Sequence, residues 1–367
     1  MQKPIAICLP SMGGGGAERV TLEVIRALLQ RGHRVDLLLA SGGGELIPLV
    51  PPQVRLIDFG VRRLRNIVRP LARYLRQEQP DSLHLLMWPL TVWGIIAHRL
   101  SGSRARLGVS DHIAFSDRSL RPAEWPLLRW SMRLAYPRAD FRTIISRRAA
   151  DGMAELTGLA RDSIDVLYNP ISPPADVVTN PDVERLWGRA GQRVLAAGSL
   201  KPQKNHALLL RAFARVRRPG RKLMILGEGP LRPELDGLAA ELGIAGELIL
   251  PGFAVNPWPF YASASLFVLS SDWEGLPLVI PEALYAGLPV VSTDCESGPA
   301  ELLDGGRFGR LVPCGDEEAL ADAIEQALAA PNDPTEQRAR AIEVAGPETI
   351  ERYLELLLGL NGATPRR

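Results

Sequence analysis

The sequence predicts an α/β protein of two domains, each built on a parallel sheet covered by helices on both faces. Three observations carry this. The chain has 367 residues, above the roughly 100–200 usual for one domain. Short apolar runs alternate with segments of helical period along most of it, the pattern of strands buried on both sides by crossover helices. A stretch rich in proline and asparagine, Asn169-Pro-Ile-Ser-Pro-Pro-Ala-Asp-Val-Val-Thr-Asn-Pro, lies near the middle and reads as an interdomain linker. The boundaries expected are 1–172 for the first domain and 173–345 for the second, with 346–367 a last helix and tail.

In the first half, Ile5–Leu9 reads as a strand. Glu18–Arg31 follows as a helix with Val20, Val24 and Leu28 on one face, stopped by Gly32. Strands are expected at 35–40, 54–59, 83–87, 106–110 and 141–145, and helices at 91–100 and 124–135. Residues 62–76 predict a basic helix with Leu64, Ile67, Val68, Leu71 and Leu75 on one side. In the second half, strands are expected at 193–197, 222–226, 247–250, 266–269, 289–292 and 311–312. Helices are expected to begin near Asn205, Leu231, Pro257, Pro277, Pro299 and Glu317. After a polar loop beyond Ala330, residues 348–360 carry Ile350, Tyr353, Leu354 and Leu357 at helical spacing.

Composition narrows the function classes. Hydrophobic residues make up 46% and charged residues 23%, ordinary for a globular protein. The longest apolar run, Leu85 to Ala97, is shorter than the roughly 20 residues a spanning helix needs. The first apolar run is too short for the core of a signal peptide. Cys8, Cys295 and Cys314 are far apart and form neither a metal spacing nor a disulfide framework. A reducing, cytoplasmic setting is the expectation. The net charge of +2 conceals an asymmetry: residues 1–170 hold 24 Lys and Arg against 15 Asp and Glu, and the remainder 19 against 26. A basic half attracts phosphate-rich partners.

The densest cluster of chemistry is Ser271-Asp-Trp-Glu-Gly-Leu-Pro-Leu-Val-Ile-Pro-Glu. A strand runs into a polar loop holding Glu274, Pro277 suits a first helical position, and Glu282 lies on the helix. The carboxyl end of a parallel strand meeting a helix start is where such sheets bind ligands, and free N–H groups there suit a diphosphate. A carboxylate accepts from sugar hydroxyls, so Glu274 and Glu282 are candidates for hexose and ribose contacts. Alone, Glu274 reads better as an ordinary loop carboxylate and Glu282 as an exposed helix residue. Lys204 is one of four lysines and precedes a helix cap at Asn205. A cation there can neutralise charge building on a leaving diphosphate. Lys201 is a second candidate. The Gly13–Gly16 run lets backbone approach a phosphate before the chain enters a helix, although a plain tight turn is its ordinary reading. His112 follows a strand in Ser-Asp-His and reads as either a site imidazole or a packed loop residue; Asp111 and Asp117 are acceptor-side candidates. His33, His84, His98 and His206 suit packing or surface roles. No Asp-x-Asp pair appears, so a metal-independent reaction without a cofactor is expected.

Taken together, Glu274 and Glu282, eight positions apart, resemble the E-x7-E motif of family-4 retaining glycosyltransferases. The likeness extends over most of the chain. Met12-Gly-Gly-Gly-Gly-Ala-Glu-Arg resembles the family's N-terminal glycine loop. Gly198-Ser-Leu-Lys-Pro-Gln-Lys-Asn and Leu226-Gly-Glu-Gly-Pro-Leu resemble its next strand-loops. Asp294-Cys-Glu-Ser-Gly-Pro-Ala-Glu-Leu resembles a segment of members that transfer hexoses or N-acetylhexosamines. The resemblance implies a GT-B fold, two Rossmann-like domains facing a central cleft, with the last helix crossing back to the N-terminal domain. It implies a nucleotide diphosphate sugar, UDP-linked, as co-substrate and a glycan or lipid-linked glycan hydroxyl as acceptor. It also implies a donor set of Gly14, Gly15, Gly198, Lys204, Gly227, Glu274, Gly275, Leu276, Leu278 and Glu282, with His112 beside the donor sugar. Glu274, Lys204 and His112 are the expected catalytic residues. Many relatives have an arginine where this chain has Ser199, a departure in the phosphate clamp that Lys201 or Arg19 could offset.

A nucleotide-sugar epimerase and a non-catalytic nucleotide-sugar-binding protein are the rival readings. A nicotinamide-dependent oxidoreductase is disfavoured because no strand leads into its glycine fingerprint, and no nucleic-acid partner is expected. Arg62, Arg63, Arg65, Arg69, Arg73 and Arg76, and a second group of Arg118, Arg121, Arg129 and Arg133 with Trp125 and Trp130, suit an anionic membrane surface. Peripheral attachment to the inner face of the cytoplasmic membrane is therefore an added expectation.

Overall fold

A computed structural model describes residues 2–13, 15–112, 125–330 and 332–360. The chain divides into two compact units, Met1–Pro170 with Pro347–Arg367, and Ile171–Gly346. The dividing points thus lie two residues before and one residue after those expected from sequence.

In the first unit, β1 (Ile5–Leu9), β2 (Val35–Leu39), β3 (Arg55–Asp58), β4 (Ser82–Leu86), β5 (Arg106–Asp111), β6 (Phe141–Ile144) and β7 (Asp165–Val166) form a parallel sheet in the order β3-β2-β1-β4-β5-β6-β7. Alternation along β1 assigns its faces. Ala6 and Cys8 join Leu38, Leu83 and Leu85 in a core with α2 (Val68–Glu78), α3 (Leu90–Ser101), α4 (Trp125–Ala135) and α5 (Arg147–Thr157), through Leu71, Ile95, Met132 and Met153. Small residues at positions 6 and 8 let these helices approach. On the other face lie α1 (Gly16–Gln30) and the last helix of the chain, Pro347–Leu358, which pack against each other. The last helix is held there by buried Tyr353, Leu354 and Leu357, by Arg106 Nε donating to the Leu356 carbonyl at 2.9 Å, and by an Arg31–Glu351 ion pair.

In the second unit, β8 (Gln192–Ala197), β9 (Arg221–Leu226), β10 (Leu248–Gly252), β11 (Leu266–Leu269), β12 (Val290–Thr293) and β13 (Arg310–Val312) form a parallel sheet in the order β10-β9-β8-β11-β12-β13. From β8 the chain first winds outward to β9 and β10, then returns to place β11 on the other side. The crevice outside the carboxyl ends of β8 and β11 is therefore a topological switch point, where doubly wound sheets take their ligands. The helices here are α6 (Pro181–Trp187), α7 (His206–Arg215), α8 (Arg232–Glu241), α9 (Trp258–Ser263), α10 (Val279–Tyr285), α11 (Pro299–Leu302), α12 (Glu317–Ala329) and α13 (Pro334–Ala345); Pro347–Leu358 is α14.

Several elements depart from the sequence reading. The expected basic helix opens as a 3-10 turn at Leu64–Ile67 and becomes α-helical only from Val68, where α2 begins. The stretch assigned to the linker ends in Asn180 and Pro181, which are the N-cap and first residue of α6; Asn180 accepts from Val183 N at 2.9 Å. The loop expected after Ala330 contains α13. Its signals were an Asp333 cap and Pro334 at the start, and only Ala341, Val344 and Ala345 are buried, too few to give a visible apolar period. Likewise α5 and the two-residue β7 went unread.

Arg221, at the start of β9, is 2% exposed. It is satisfied by Glu325 of α12, at 2.5 Å, and by Gln192 Oε1, at 2.8 and 2.9 Å. Its bond to Glu325 holds that carboxyl below the usual glutamate value. A depressed folded-state pKa means stability that is present above the unfolded value and lost as pH falls through the folded one. Glu325→Ala is expected to cost about 3 kcal/mol, because it leaves a buried guanidinium without its counter-charge. Urea unfolding checks this, and the difference from wild type should shrink below pH 4.5, the ordinary glutamate value.

Candidate active site

The site in the second unit begins with two loops on neighbouring strands. After β8 the chain passes Gly198 to Lys204 and enters α7. Asn205 caps α7, its side chain accepting from Leu208 N at 3.2 Å. After β11 it passes Ser270 to Leu278 and enters α10. The loops are stitched together by Asp272 N donating to the Gln203 carbonyl at 2.9 Å, Asn205 Nδ2 to Asp272 at 3.0 Å, and Ser270 Oγ to the Lys204 carbonyl at 2.9 Å. Gly198 has φ +157°, and the methylenes of Lys204 lie over it. Gly227, at φ +146° after β9, has its α-carbon so close to the Gly198 carbonyl that a Cβ would sit 2.1 Å from that oxygen. Glycine at 227 is thus what lets these two loops touch.

This stitching aims Lys204 at Glu274. Its Nζ lies 2.6 Å from Glu274 Oε1, and the Ser271 hydroxyl donates to the same oxygen at 2.6 Å. Gln203 Nε2 donates to the Trp273 carbonyl at 2.9 Å and reaches Glu274 Oε2 at 3.4 Å. Glu274 is 6% exposed. The carboxylate is thus desolvated yet satisfied on both oxygens. Ser271 is fixed in turn by Thr293 Oγ1 donating to its carbonyl at 2.6 Å, and the Gly275 carbonyl accepts from Ser297 Oγ at 2.9 Å. Leu276 is buried and Leu278 half-buried where the loop enters α10. Lys201 is exposed.

Glu282 is buried rather than displayed on its helix. Its Oε2 accepts from the hydroxyl of Tyr261 on α9 at 2.7 Å. Sequence reasoning placed Lys204, Glu274 and Glu282 singly and missed three partners: Ser271, Gln203 and Tyr261. Ser271 stands three residues before Glu274, and a search for donors around each charge would have found it, whereas Gln203 serves Trp273 and Glu274 from 70 and 71 positions away. Tyr261 has no such signal, because the contact joins two helices across a strand. His206, the first residue of α7, is buried as a packing residue; burial beside Lys204 lowers it to about 4.

In the first unit, the glycine run opens α1 with Gly15 as its cap. Gly14 lies outside the described residues. The Glu18 carboxylate folds back over this turn, so that a Cβ on Gly15 would meet Oε2 at 2.5 Å. His112 closes β5. Its Nε2 is 3.3 Å from Ser110 Oγ, which accepts from Thr143 Oγ1 at 2.8 Å, and burial lowers the ring to about 4, partly offset by the nearby Asn169 side chain. His112 is thus a neutral imidazole near pH 7. Asp111 is not placed to bind an acceptor. It is fully buried, with one oxygen accepting from Trp88 N at 2.8 Å and the other from Tyr136 OH at 2.5 Å, and burial raises it to about 6. Asp117 lies outside the described residues, as do Arg118 and Arg121.

Two parallel α/β units of this topology define the GT-B class of glycosyltransferases. Anabaena HepE in complex with UDP and glucose superposes with a TM-score of 0.82 at 20% identity, covering 98% of this chain and all of that one. Residues 14–173 match the family described as Glycosyltransferase Family 4, and residues 191–330 that described as Glycosyl transferases group 1. The lipopolysaccharide core biosynthesis glycosyltransferase LpsE of Rhizobium meliloti is 40% identical over 332 residues, 86% of each chain. An N-acetylgalactosaminyltransferase of Campylobacter jejuni, named for an undecaprenol diphosphate-linked acceptor, is 27% identical over 89% of this chain and 90% of its own. The chain belongs to the family-4 glycosyltransferases.

The Lys204–Glu274 pair should be measurable without any substrate. Lys204→Met strands a buried carboxylate and is expected to cost about 3 kcal/mol in urea unfolding. Adding Glu274→Gln should return most of that loss. A coupling energy near zero in this double-mutant cycle would mean that the pair contributes nothing to the ligand-free fold.

Proposed function

We propose that the protein transfers a hexose or N-acetylhexosamine from a UDP-linked donor to a hydroxyl of a lipid-linked or polysaccharide glycan, with retention of anomeric configuration and without a metal. The observation that carries this reading is the meeting of Lys204, Ser271 and Glu274 at the β8–β11 switch point, with Glu282 eight residues on. The names of the Rhizobium and Campylobacter relatives support the acceptor class, and the solved HepE complex with UDP and glucose supports the donor. On this reading the incoming diphosphate takes the Lys204 ammonium from Glu274. The carboxylate is then released to accept from a sugar hydroxyl, while Glu282 accepts from the ribose. The C1–phosphate bond breaks, the acceptor oxygen bonds C1 on the same face, and its proton passes to the departing phosphate oxygen. No protein nucleophile enters this balance. Lys204 acts where negative charge grows, which is where a fixed cation contributes most.

A panel of nucleotide sugars with a lipid-linked glycan acceptor tests this, read by NMR of the product anomer. Glu274→Ala is expected to cut kcat by about a hundredfold or more with little change in UDP affinity. Glu282→Ala should chiefly raise the donor KM. Activity should persist in excess EDTA. An inverted product, or activity abolished by chelator and restored by Mg²⁺, would overturn the corresponding part of the mechanism.

The acceptor class also calls for contact with a lipid surface, and exposed charge and apolar residues on the first unit support that reading. Helices α2, α3 and α4 lie side by side on one sheet face. Arg62, Arg63, Arg65, Arg69, Arg73 and Arg76 are all exposed on the outside of α2 and the turn before it. On α4, Leu127, Trp130 and Leu134 form an exposed apolar stripe, with Trp130 65% exposed, flanked by exposed Arg129 and Arg133. Trp125 is instead half-buried against the core. Among the described residues no helix is long and apolar enough to cross a membrane. An interfacial aromatic stripe beside arginines suits peripheral attachment to anionic lipid. Cosedimentation with anionic vesicles is expected to fall with salt and to fall again in an Arg62, Arg63, Arg65→Ser variant and in Trp130→Ser. Equal binding to neutral vesicles would assign these arginines to ordinary solvation.

A further inference from the structure

We propose that Tyr261 is the positioning residue for Glu282, and through it a determinant of the protein's preference for a ribose donor over a deoxyribose one. The inference rests on the reading of Glu282 as the ribose ligand. Tyr261 is 0% exposed and its hydroxyl donates to Glu282 Oε2 at 2.7 Å. A buried tyrosine spends its one donor on a partner that matters to the fold or to the site. The partner here is a carboxylate that is 9% exposed. The Tyr261 bond brings a neutral donor to Glu282, whereas the Lys204 bond brings a cation to Glu274, eight residues earlier.

The hydroxyl is placed by a cage of rings. Tyr261 packs on Phe267 of β11 with centroids 5.8 Å apart, and on Trp258 of its own helix at 6.0 Å. Trp258 meets Tyr285, at the end of α10, edge-on at 5.9 Å, and the guanidinium of Arg338 on α13 lies 4.7 Å from the Tyr285 ring centre. The cage ties α9 to both ends of the segment that carries the site: the strand before it and the helix after it. These ring contacts restrain the phenol beside the carboxylate.

The consequence for recognition is geometric. A carboxylate on a flexible stem presents either oxygen in many orientations, and each must be frozen before it can accept from the vicinal hydroxyls of a ribose. With Oε2 bonded to Tyr261, the plane of the Glu282 carboxylate is set before the nucleotide arrives. A preset acceptor discriminates strongly against a ligand that lacks the matching hydroxyl. Tyr261 touches no reacting atom in this account; it acts through Glu282 alone.

Tyr261→Phe removes one oxygen and keeps the ring in its cage, so the fold is retained. Binding of UDP and of 2′-deoxy-UDP is measured by calorimetry for wild type, Tyr261→Phe and Glu282→Ala, together with donor kinetics. In Tyr261→Phe, UDP affinity is expected to fall about tenfold, the loss of one hydrogen bond to a charged group. The affinity for 2′-deoxy-UDP should fall much less, so that the ribose preference narrows. The donor KM should rise by a similar factor with kcat within about twofold of wild type. An equal loss for both nucleotides, an unchanged preference, or a fall in kcat alone would overturn the role of Tyr261. An undiminished ribose preference in Glu282→Ala would overturn the ribose reading of Glu282 first, and the inference with it, so the two failures are told apart.

Discussion

A lysine and a glutamate taken out of water together, Lys204 and Glu274, organise the second unit of this protein. Neither charge is tolerable alone at that depth, so each loop that carries one is pinned by the other. The pin is reinforced by backbone and side-chain bonds between the same two loops, from Asp272 to Gln203 and from Asn205 to Asp272. Because β8 and β11 are neighbours only through the doubly wound order, the pair also depends on the sheet topology. Local loop chemistry and global winding therefore agree at one place, as expected of a minimally frustrated fold.

The same pair gives the ligand-free site its electrostatic character. A lone ammonium held ready for a diphosphate would attract any anion. Here the lysine already carries a counter-charge, and a second anion gains its full benefit only when Glu274 finds another partner. On the proposed reading a sugar hydroxyl of the donor supplies one. A donor that brings both diphosphate and sugar thus satisfies both members of the opened pair, and a bare phosphate satisfies only one. The two glutamates of the motif have opposite supports, a cation for Glu274 and a caged phenol for Glu282. On the proposed reading these supports serve opposite tasks, a carboxylate that is exchanged during binding and one that is held fixed.

The first unit applies similar winding to different chemistry. Its glycine turn is covered by the carboxylate of Glu18, its histidine at the end of β5 is held neutral, and the neighbouring Asp111 is wholly occupied by Tyr136 and Trp88. Charge is instead displayed on the outer surfaces of α2 and α4, beside the exposed stripe of Leu127, Trp130 and Leu134.

The sequence by itself determined the strand and helix alternation, and with it the two parallel sheets, because apolar periodicity and glycine or proline boundaries are local properties. β1 and β11 were legible to the residue. The E-x7-E spacing, the glycine loops and Lys204 were legible for the same reason, since each is a contiguous motif. What escaped was of two kinds. Helix α13 buries too few apolar residues to show a period, and β7 is two residues long. The partners of the site residues are joined by long-range geometry: Tyr261 reaches Glu282 across β11, Lys204 reaches Glu274 across 70 positions of sequence, and Asp111 is closed off by Tyr136 from another element. Hydrogen bonds between distant segments leave no periodic trace in the chain. Only the packed sheet, by bringing those segments within 3 Å, decided which carboxylate meets a lysine, which accepts from a buried phenol and which is closed off in the core.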